Sequence, residues 1–439
     1  MQSLDTPPLN DGQEVLFLLF CFFSRNQPNH PVMESSSSSK GHAPETVPED
    51  PEACLIEDME EERRNFFKII AAFKYYRHSS MAELKRKECF LETLPPAHQQ
   101  MLTSYREHLQ NQRRCVEVNA QVIKQIIQDA NCLFQNADHN IEPELQPADG
   151  LKLRYQDFQK VALRHRSKPI SDEIHSPTWW FFIPAQVQIT LKQIFRDWSE
   201  QGKLERDQCY SPIVQEITAF FNPAKYDLTK VKILVPGAGL GRLIYELACQ
   251  GFYCEGNEFS LFMLIASNFV LNRCVAANQC TIYPWVHQVV NNLSQQNQLV
   301  PVSFPDVSPT KFPPKGTMNM VAGDFLQVYR DEDYWECIAT CFFIDCANNI
   351  IEFIEVIKKI LKPGGIWVNL GPLLYHFSDV PQEGSIEPTY EDLLEIIRSL
   401  GFIILKNETN IVTTYSQNPT SMHQSHYNSI YLVCQKPNN

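Results

Sequence analysis

The sequence predicts a doubly wound α/β fold, a mostly parallel seven-stranded sheet behind an N-terminal helical region. Three observations predict it. From Val231 onward, short apolar runs alternate with helical stretches. The runs are continuously apolar, as befits strands buried on both faces by helices. The loop Gly237-Ala238-Gly239-Leu240-Gly241 joins the first run to a helix, and glycines there let a backbone approach a ligand closely.

In chain order, residues 1–57 read as a poorly ordered leader. They carry the run Ser35–Ser39 and then Pro44, Pro48 and Pro51 among acids. The leader's apolar stretch, Val15 to Phe23, is too short to span a bilayer. Asp5, Asp11 and Glu14 precede it, whereas a signal peptide opens with positive charge. From Asp58 the apolar residues step by three and four, as in Glu61–Tyr76 and Leu102–Phe134, so 58–165 reads as a helical layer. Leu94-Pro95-Pro96 interrupts it. The aromatic cluster Trp179-Trp180-Phe181-Phe182 reads as a packing anchor, and helices follow around Gln186–Gln201 and Tyr210–Phe221. Residues 58–228 thus form the helical region and 229–439 the ligand-binding domain.

Within that domain the expected strands are Lys232–Val235, Phe252–Gly256, Met320–Ala322, Cys337–Ile344, Ile366–Leu370, Phe402–Lys406 and Ser429–Gln435. Helices are expected after the glycine loop and over Phe259–Asn272, Asn348–Leu361 and Tyr390–Leu400. Pro363-Gly364-Gly365 reads as a turn. Residues 273–319 carry Pro301, Pro305, Pro309, Pro313 and Pro314 and fit no period, so they are expected to be an insertion covering the site.

Composition excludes several function classes. Hydrophobic residues make up 44% of 439, enough for a sizeable core. A net charge of −13 opposes binding to nucleic-acid phosphates and to anionic membranes. The fourteen cysteines contain no C-x-x-C pair, which points to a reduced intracellular protein without a metal site. The expected compartment is the cytoplasm, with the nucleus as a second one.

Five strand ends carry candidate chemistry. The glycine spacing is G-x-G-x-G followed by Arg242, whereas the dinucleotide fingerprint wants a small residue at that place. Glu258 lies 21 residues beyond Gly237 at the end of the second strand, where a carboxylate can accept from ribose hydroxyls. Asp324 and Phe325 follow the third strand and suit an adenine amino group and ring, although a turn aspartate explains Asp324 equally well. Asp345 ends the fourth strand, facing the crevice of such sheets. The competing role is a cap for the helix beginning near Asn348. His376 emerges beyond the fifth strand at the same edge.

The strings ILVPGAGLGRL, GNEFSLFMLIASNFVLN, VAGDFLQVY, FFIDCANNIIEFIE and ILKPGGIWVNLGPLLYHF resemble the carnosine N-methyltransferase family from about residue 60 onward. The resemblance implies a class I methyltransferase fold, S-adenosylmethionine as cofactor, a small histidine-containing peptide as substrate and a homodimer. Residue by residue it implies that Gln193, Arg196, Gly237, Gly239, Glu258, Asp324 and Phe325 hold the cofactor. It implies that Asp345, His376 and Tyr427 form the imidazole pocket, with Asp345 catalytic. Three rival readings remain: a methyltransferase for histidine within proteins, a nicotinamide-dependent oxidoreductase, and a non-catalytic scaffold.

Overall fold

A computed structural model describes residues 51–128, 130, 177–311, 314–380 and 384–438, with the side chains of 51–63 and 177–184 left aside. Expectations for 1–50 and 131–165, and for the packing of Trp179–Phe182, fall outside the described residues. The N-terminal helices are α1 (Pro51–Glu92), α2 (Thr103–Ile126), α3 (Pro177–Trp198) and α4 (Lys203–Phe220). The last residues of the expected leader are therefore helical, since α1 starts at Pro51.

The strands are β1 (Lys232–Pro236), β2 (Tyr253–Glu258), β3 (Cys280–Ile282), β4 (Val302–Phe304), β5 (Thr317–Ala322), β6 (Trp335–Cys341), β7 (Leu361–Gly371), β8 (Ile403–Thr413) and β9 (Tyr427–Gln435). Between them lie α5 (Arg242–Gln250), α6 (Leu261–Arg273), α7 (Ile350–Ile360) and α8 (Tyr390–Ser399). Seven strands form one sheet in the order β5-β2-β1-β6-β7-β9-β8. The first five run parallel, and β9 enters antiparallel to both β7 and β8. Strand order reverses between β1 and β6, and the carboxyl ends of strands at such a switch are where open α/β sheets take ligands. Gly237 and Asp345 stand at those two ends.

Several boundaries differ from expectation for identifiable reasons. The fourth strand stops at Cys341, because Phe342 turns the chain at a φ of +52°. Residues Ile344–Cys346 form a 3-10 turn instead. Pro363-Gly364-Gly365 is an irregularity inside β7, across which the pairing jumps from Trp335–Leu361 to Cys337–Ile366. The edge strands β5 and β8 are both longer than their apolar residues suggested, since an edge strand buries less of itself.

The 273–319 stretch has structure of its own. Strands β3 and β4 make an antiparallel pair, and Thr317 already belongs to β5. Its hydrogen bonds reach α2, where Asn119 and Tyr283 bond in both directions (2.7 and 3.0 Å). They also reach the chain before β9, where the Met422 N–H donates to the Asn291 carbonyl at 2.8 Å. The stretch braces these two regions; among the described residues, none of its hydrogen bonds goes to Glu258, Asp345 or His376. Its apolar residues Trp285, Val302 and Phe304 share one core with α1, α2, α3 and α6, so residue 228 does not separate two cores.

Candidate active site

The cofactor half of the crevice is built from β1, β2 and the end of α3. Gly237 and Gly239 adopt φ values of +66° and +56°, which side-chain-bearing residues rarely take. A Cβ on Gly237 would lie 2.6 Å from the Phe343 ring, so position 237 leaves no room for a side chain unless that ring shifts. Glu258 is buried and receives the Gly239 N–H on one oxygen and the Ser260 N–H on the other, both at 2.8 Å. Burial pushes its carboxyl upward, and the backbone donors work against that shift.

Gln193 and Arg196, which would pass as surface polar residues, are buried. Their i, i+3 spacing on α3 aims both at the crevice. Arg196 lies between the rings of Tyr210 and Tyr415, at 4.8 and 4.7 Å from their centres. Its Nη1 donates to Asp197 at 3.0 Å and to the Tyr210 hydroxyl. Burial opposes its charge, but Tyr210 and Asp197 keep the guanidinium protonated well beyond the ordinary range. Its Nε is buried and makes no hydrogen bond, with a Glu205 carboxylate oxygen 3.8 Å away. A buried donor left unmade is costly, so an acceptor brought by a ligand fits here. Gln193 Nε2 donates to the Tyr415 hydroxyl at 2.6 Å.

Asp324 accepts the Leu326 N–H at 2.9 Å, so it does cap the short helix that follows. Phe325 is buried against Phe343 and Phe353, whose own rings stack at 4.8 Å. The ring is thus fixed by packing, at the rim of the crevice opened by β2 and β5.

The other half gathers Asp345, His376 and Tyr427 from three separate chain segments. Asp345 does not cap α7; Asn349 does, accepting from the Ile351 N–H. Instead Asp345 is 2% exposed, and one of its oxygens accepts the Leu374 N–H at 2.8 Å. Burial raises its pKa, with the nearby His376 acting the other way. His376 is also buried, and burial lowers its imidazole pKa against the pull of Asp345. Both groups are moved toward their neutral forms. The pKa of the Tyr427 phenol is raised by burial and then by the charge of Asp345, and its ring packs on Phe342, three residues before that acid.

Sequence reasoning missed three residues at this edge. Asp197, 1% exposed, directs its second oxygen to within 3.8 Å of where a Gly239 Cβ would stand. Phe342 packs against both Tyr415 and Tyr427, at 5.0 and 5.8 Å between ring centres. Tyr415 sits in a polar segment between β8 and β9 that shows no period. Only the acid at 197, next to a predicted site arginine, carried any signal in the sequence.

A mostly parallel seven-stranded sheet with a glycine loop and buried polar side chains at its switch point is the architecture of a class I S-adenosylmethionine-dependent methyltransferase. A family model described as carnosine N-methyltransferase matches residues 181–438. A carnosine N-methyltransferase of Drosophila melanogaster is 50% identical over 383 residues, covering 87% of this chain and 82% of its own. That of Mus musculus is 41% identical over 401 residues, covering 91% and 93%. That of Schizosaccharomyces pombe is 33% identical over 397 residues, covering 86% and 97%. The chain belongs to the carnosine N-methyltransferase family.

Proposed function

We propose that this enzyme methylates the Nπ atom of the carnosine imidazole, giving anserine, and that Asp345 aims the ring. The observation that carries the proposal is the buried Asp345 carboxylate, with His376 and Tyr427 beside it, across the switch point from the glycine loop. Bound S-adenosylmethionine supplies an electrophilic methyl group on a sulfonium.

The residues then have separate tasks. Glu258 and the loop of Gly237 and Gly239 hold the ribose, and Asp324 and Phe325 bound the adenine. Arg196 presents its Nε to the methionine carboxylate, Asp197 faces the ammonium, and Gln193 anchors Tyr415 beside them. On the substrate side a strong base is unnecessary, because an imidazole of pKa about 6.5 is mostly neutral at pH 7. What matters is the tautomer. Asp345 accepts from the Nτ–H, leaving the Nπ lone pair to form the new N–C bond as the C–S bond breaks. It then stabilises the imidazolium that develops. His376 and Tyr427 orient the ring and contribute through positioning.

The eleven cysteines whose side chains are described are free, which supports a reducing compartment, the cytoplasm or nucleus, as the place of action. No described helix is long and apolar enough to cross a membrane. The homodimer belongs to the same proposal, and sedimentation would read it. The decisive test is a methyl-transfer assay with isotopically labelled cofactor on carnosine and on histidine-containing proteins, with the methylated nitrogen assigned by NMR. Nπ-methylated dipeptide is the expected product. Turnover on protein histidines alone would overturn the substrate assignment.

A further inference from the structure

Cys346 follows Asp345 directly and has no task in the methyl transfer. It occupies the same 3-10 turn, Ile344–Cys346, and is only partly buried. Its thiol makes one weak contact, donating to the Phe342 carbonyl at 3.9 Å. Yet one ligand atom from each of Asp345, Cys346 and His376 lies within 4.8 Å of the other two. The two segments that bring them are tied together, since the His376 N–H donates to the Asp345 carbonyl at 3.0 Å. The Leu374 N–H, two residues before, holds the Asp345 carboxylate itself. The three donors are therefore gathered by the fold and need no segment to travel.

We propose that Asp345, Cys346 and His376 form a zinc(II) site whose occupancy shuts the enzyme by taking the seat of the substrate ring. The donor set carries the choice of ion. One thiolate, one imidazole and one carboxylate suit Zn²⁺ and its relatives Co²⁺ and Cd²⁺, whereas Mg²⁺ and Ca²⁺ prefer oxygen throughout. With bonds of about 2.0–2.3 Å, tetrahedral zinc needs its ligand atoms roughly 3.3–3.6 Å apart. Side-chain movements of about an ångström close the observed cluster onto that geometry. Three protein ligands leave a fourth position open to water. On binding, the thiol gives its proton to solvent and the thiolate forms the Zn–S bond, with no change of oxidation state.

The inhibitory half of the proposal rests on the reading that Asp345 receives the substrate N–H. A metal on Asp345 consumes the lone pairs that would accept that proton, and it ties back His376. Inhibition is then competitive with the peptide and indifferent to the methyl donor. The sequence conceals the site, because its ligands lie on two segments and only one of the three is a cysteine.

The test uses the full-length protein and Co²⁺ as a spectroscopic probe, with Zn²⁺ binding measured by calorimetry. The expected result is one equivalent bound, with the ultraviolet band of a cobalt–thiolate bond. Cys346→Ala and Cys346→Ser should keep methyl transfer, abolish the band and weaken zinc binding by on the order of 100-fold or more. Carnosine should displace the metal from the wild-type protein. Absence of binding at micromolar metal, or a band that survives in both variants, would overturn the site. A Cys346-dependent band that carnosine leaves untouched would keep the metal site but overturn both the competition and the placement of substrate at Asp345.

Discussion

Asp345 and His376 are joined twice: the His376 N–H bonds to the Asp345 carbonyl at 3.0 Å, and their side chains shift each other's ionisation. The backbone link fixes how the two loops beyond β6 and β7 meet. The electrostatic link opposes burial at both ends: His376 lowers the pKa of Asp345, and Asp345 raises that of His376.

Asp345→Asn separates activity from stability. The amide oxygen can still accept the Leu374 N–H, but the side chain no longer offers a negative charge to the developing imidazolium. Turnover should fall by about 100-fold or more, in line with the loss of an electrostatic partner of this kind. The sign for stability is opposite. An acid whose pKa is raised on folding binds its proton more tightly in the native state, so stability is lost as pH rises through the folded value. The variant should therefore melt higher than the wild type at neutral pH, and the difference should vanish in acid. A lower melting temperature at pH 7 would contradict the account of this carboxylate.

The pH profile should show two protons on its acid side. The substrate imidazole takes one below about pH 6.5. Asp345, its pKa raised by burial, takes the second above the usual carboxylate range. Log kcat/KM for carnosine should thus fall with a slope of one and steepen toward two as pH drops. In Asp345→Asn the slope should stay at one throughout the measurable range.

Glu258→Gln tests the cofactor half alone. Both of its oxygens hold backbone N–H groups of the crevice, and the charge assists those bonds. We expect KM for S-adenosylmethionine to rise about tenfold or more, with KM for carnosine little changed. Stabilisation by S-adenosylhomocysteine in a thermal shift assay gives an independent reading. Equal losses in both KM values would show that Glu258 shapes the whole crevice instead.

Gly237→Ala should damage folding and cofactor affinity together. The φ of +66° costs a side-chain-bearing residue about 1–2 kcal/mol. The new Cβ meets the Phe343 ring at 2.6 Å, and that ring is stacked on Phe353 and cannot withdraw freely. Overpacking adds about 1–3 kcal/mol. Chemical denaturation measures the sum directly.

Asp306→Ala should rank among the most destabilising single changes. Asp306 bridges two buried arginines, accepting from Arg242 Nη1 at 2.6 Å and from Arg206 Nη2 at 2.7 Å. Its removal leaves both cations short of a partner, at a cost of about 3–5 kcal/mol. The loss should appear as a fall in melting temperature without cofactor present.

The parts of this enzyme that local chemistry determines were readable from its residues. Apolar runs gave the parallel strands, and a candidate site residue follows each of them within a few positions. Edge strands were under-read: β8 continues through Lys406-Asn407-Glu408, which is exposed and held by pairing with β9 rather than by burial. The burial of Gln193 and Arg196 was invisible for a related reason. Nothing in LKQIFRDW says that Tyr210 and Tyr415, on other segments, enclose the arginine. The role of Asp306 was likewise hidden, because its two partners lie 64 and 100 residues away. Long-range partnership decides these positions, and sequence spacing carries no record of it.

The place of β9 between β7 and β8 has a bearing on how the enzyme is made. Gly237 and Glu258 emerge from the ribosome close together, within one β-α-β unit, so the nucleoside half can form early. Asp345, His376 and Tyr427 are spread over 83 positions, and Tyr427 reaches its neighbours only once β9 has slotted between two strands already synthesised. On the proposed assignment of these residues, a nascent chain acquires its grip on the methyl donor before it has anywhere to put the acceptor.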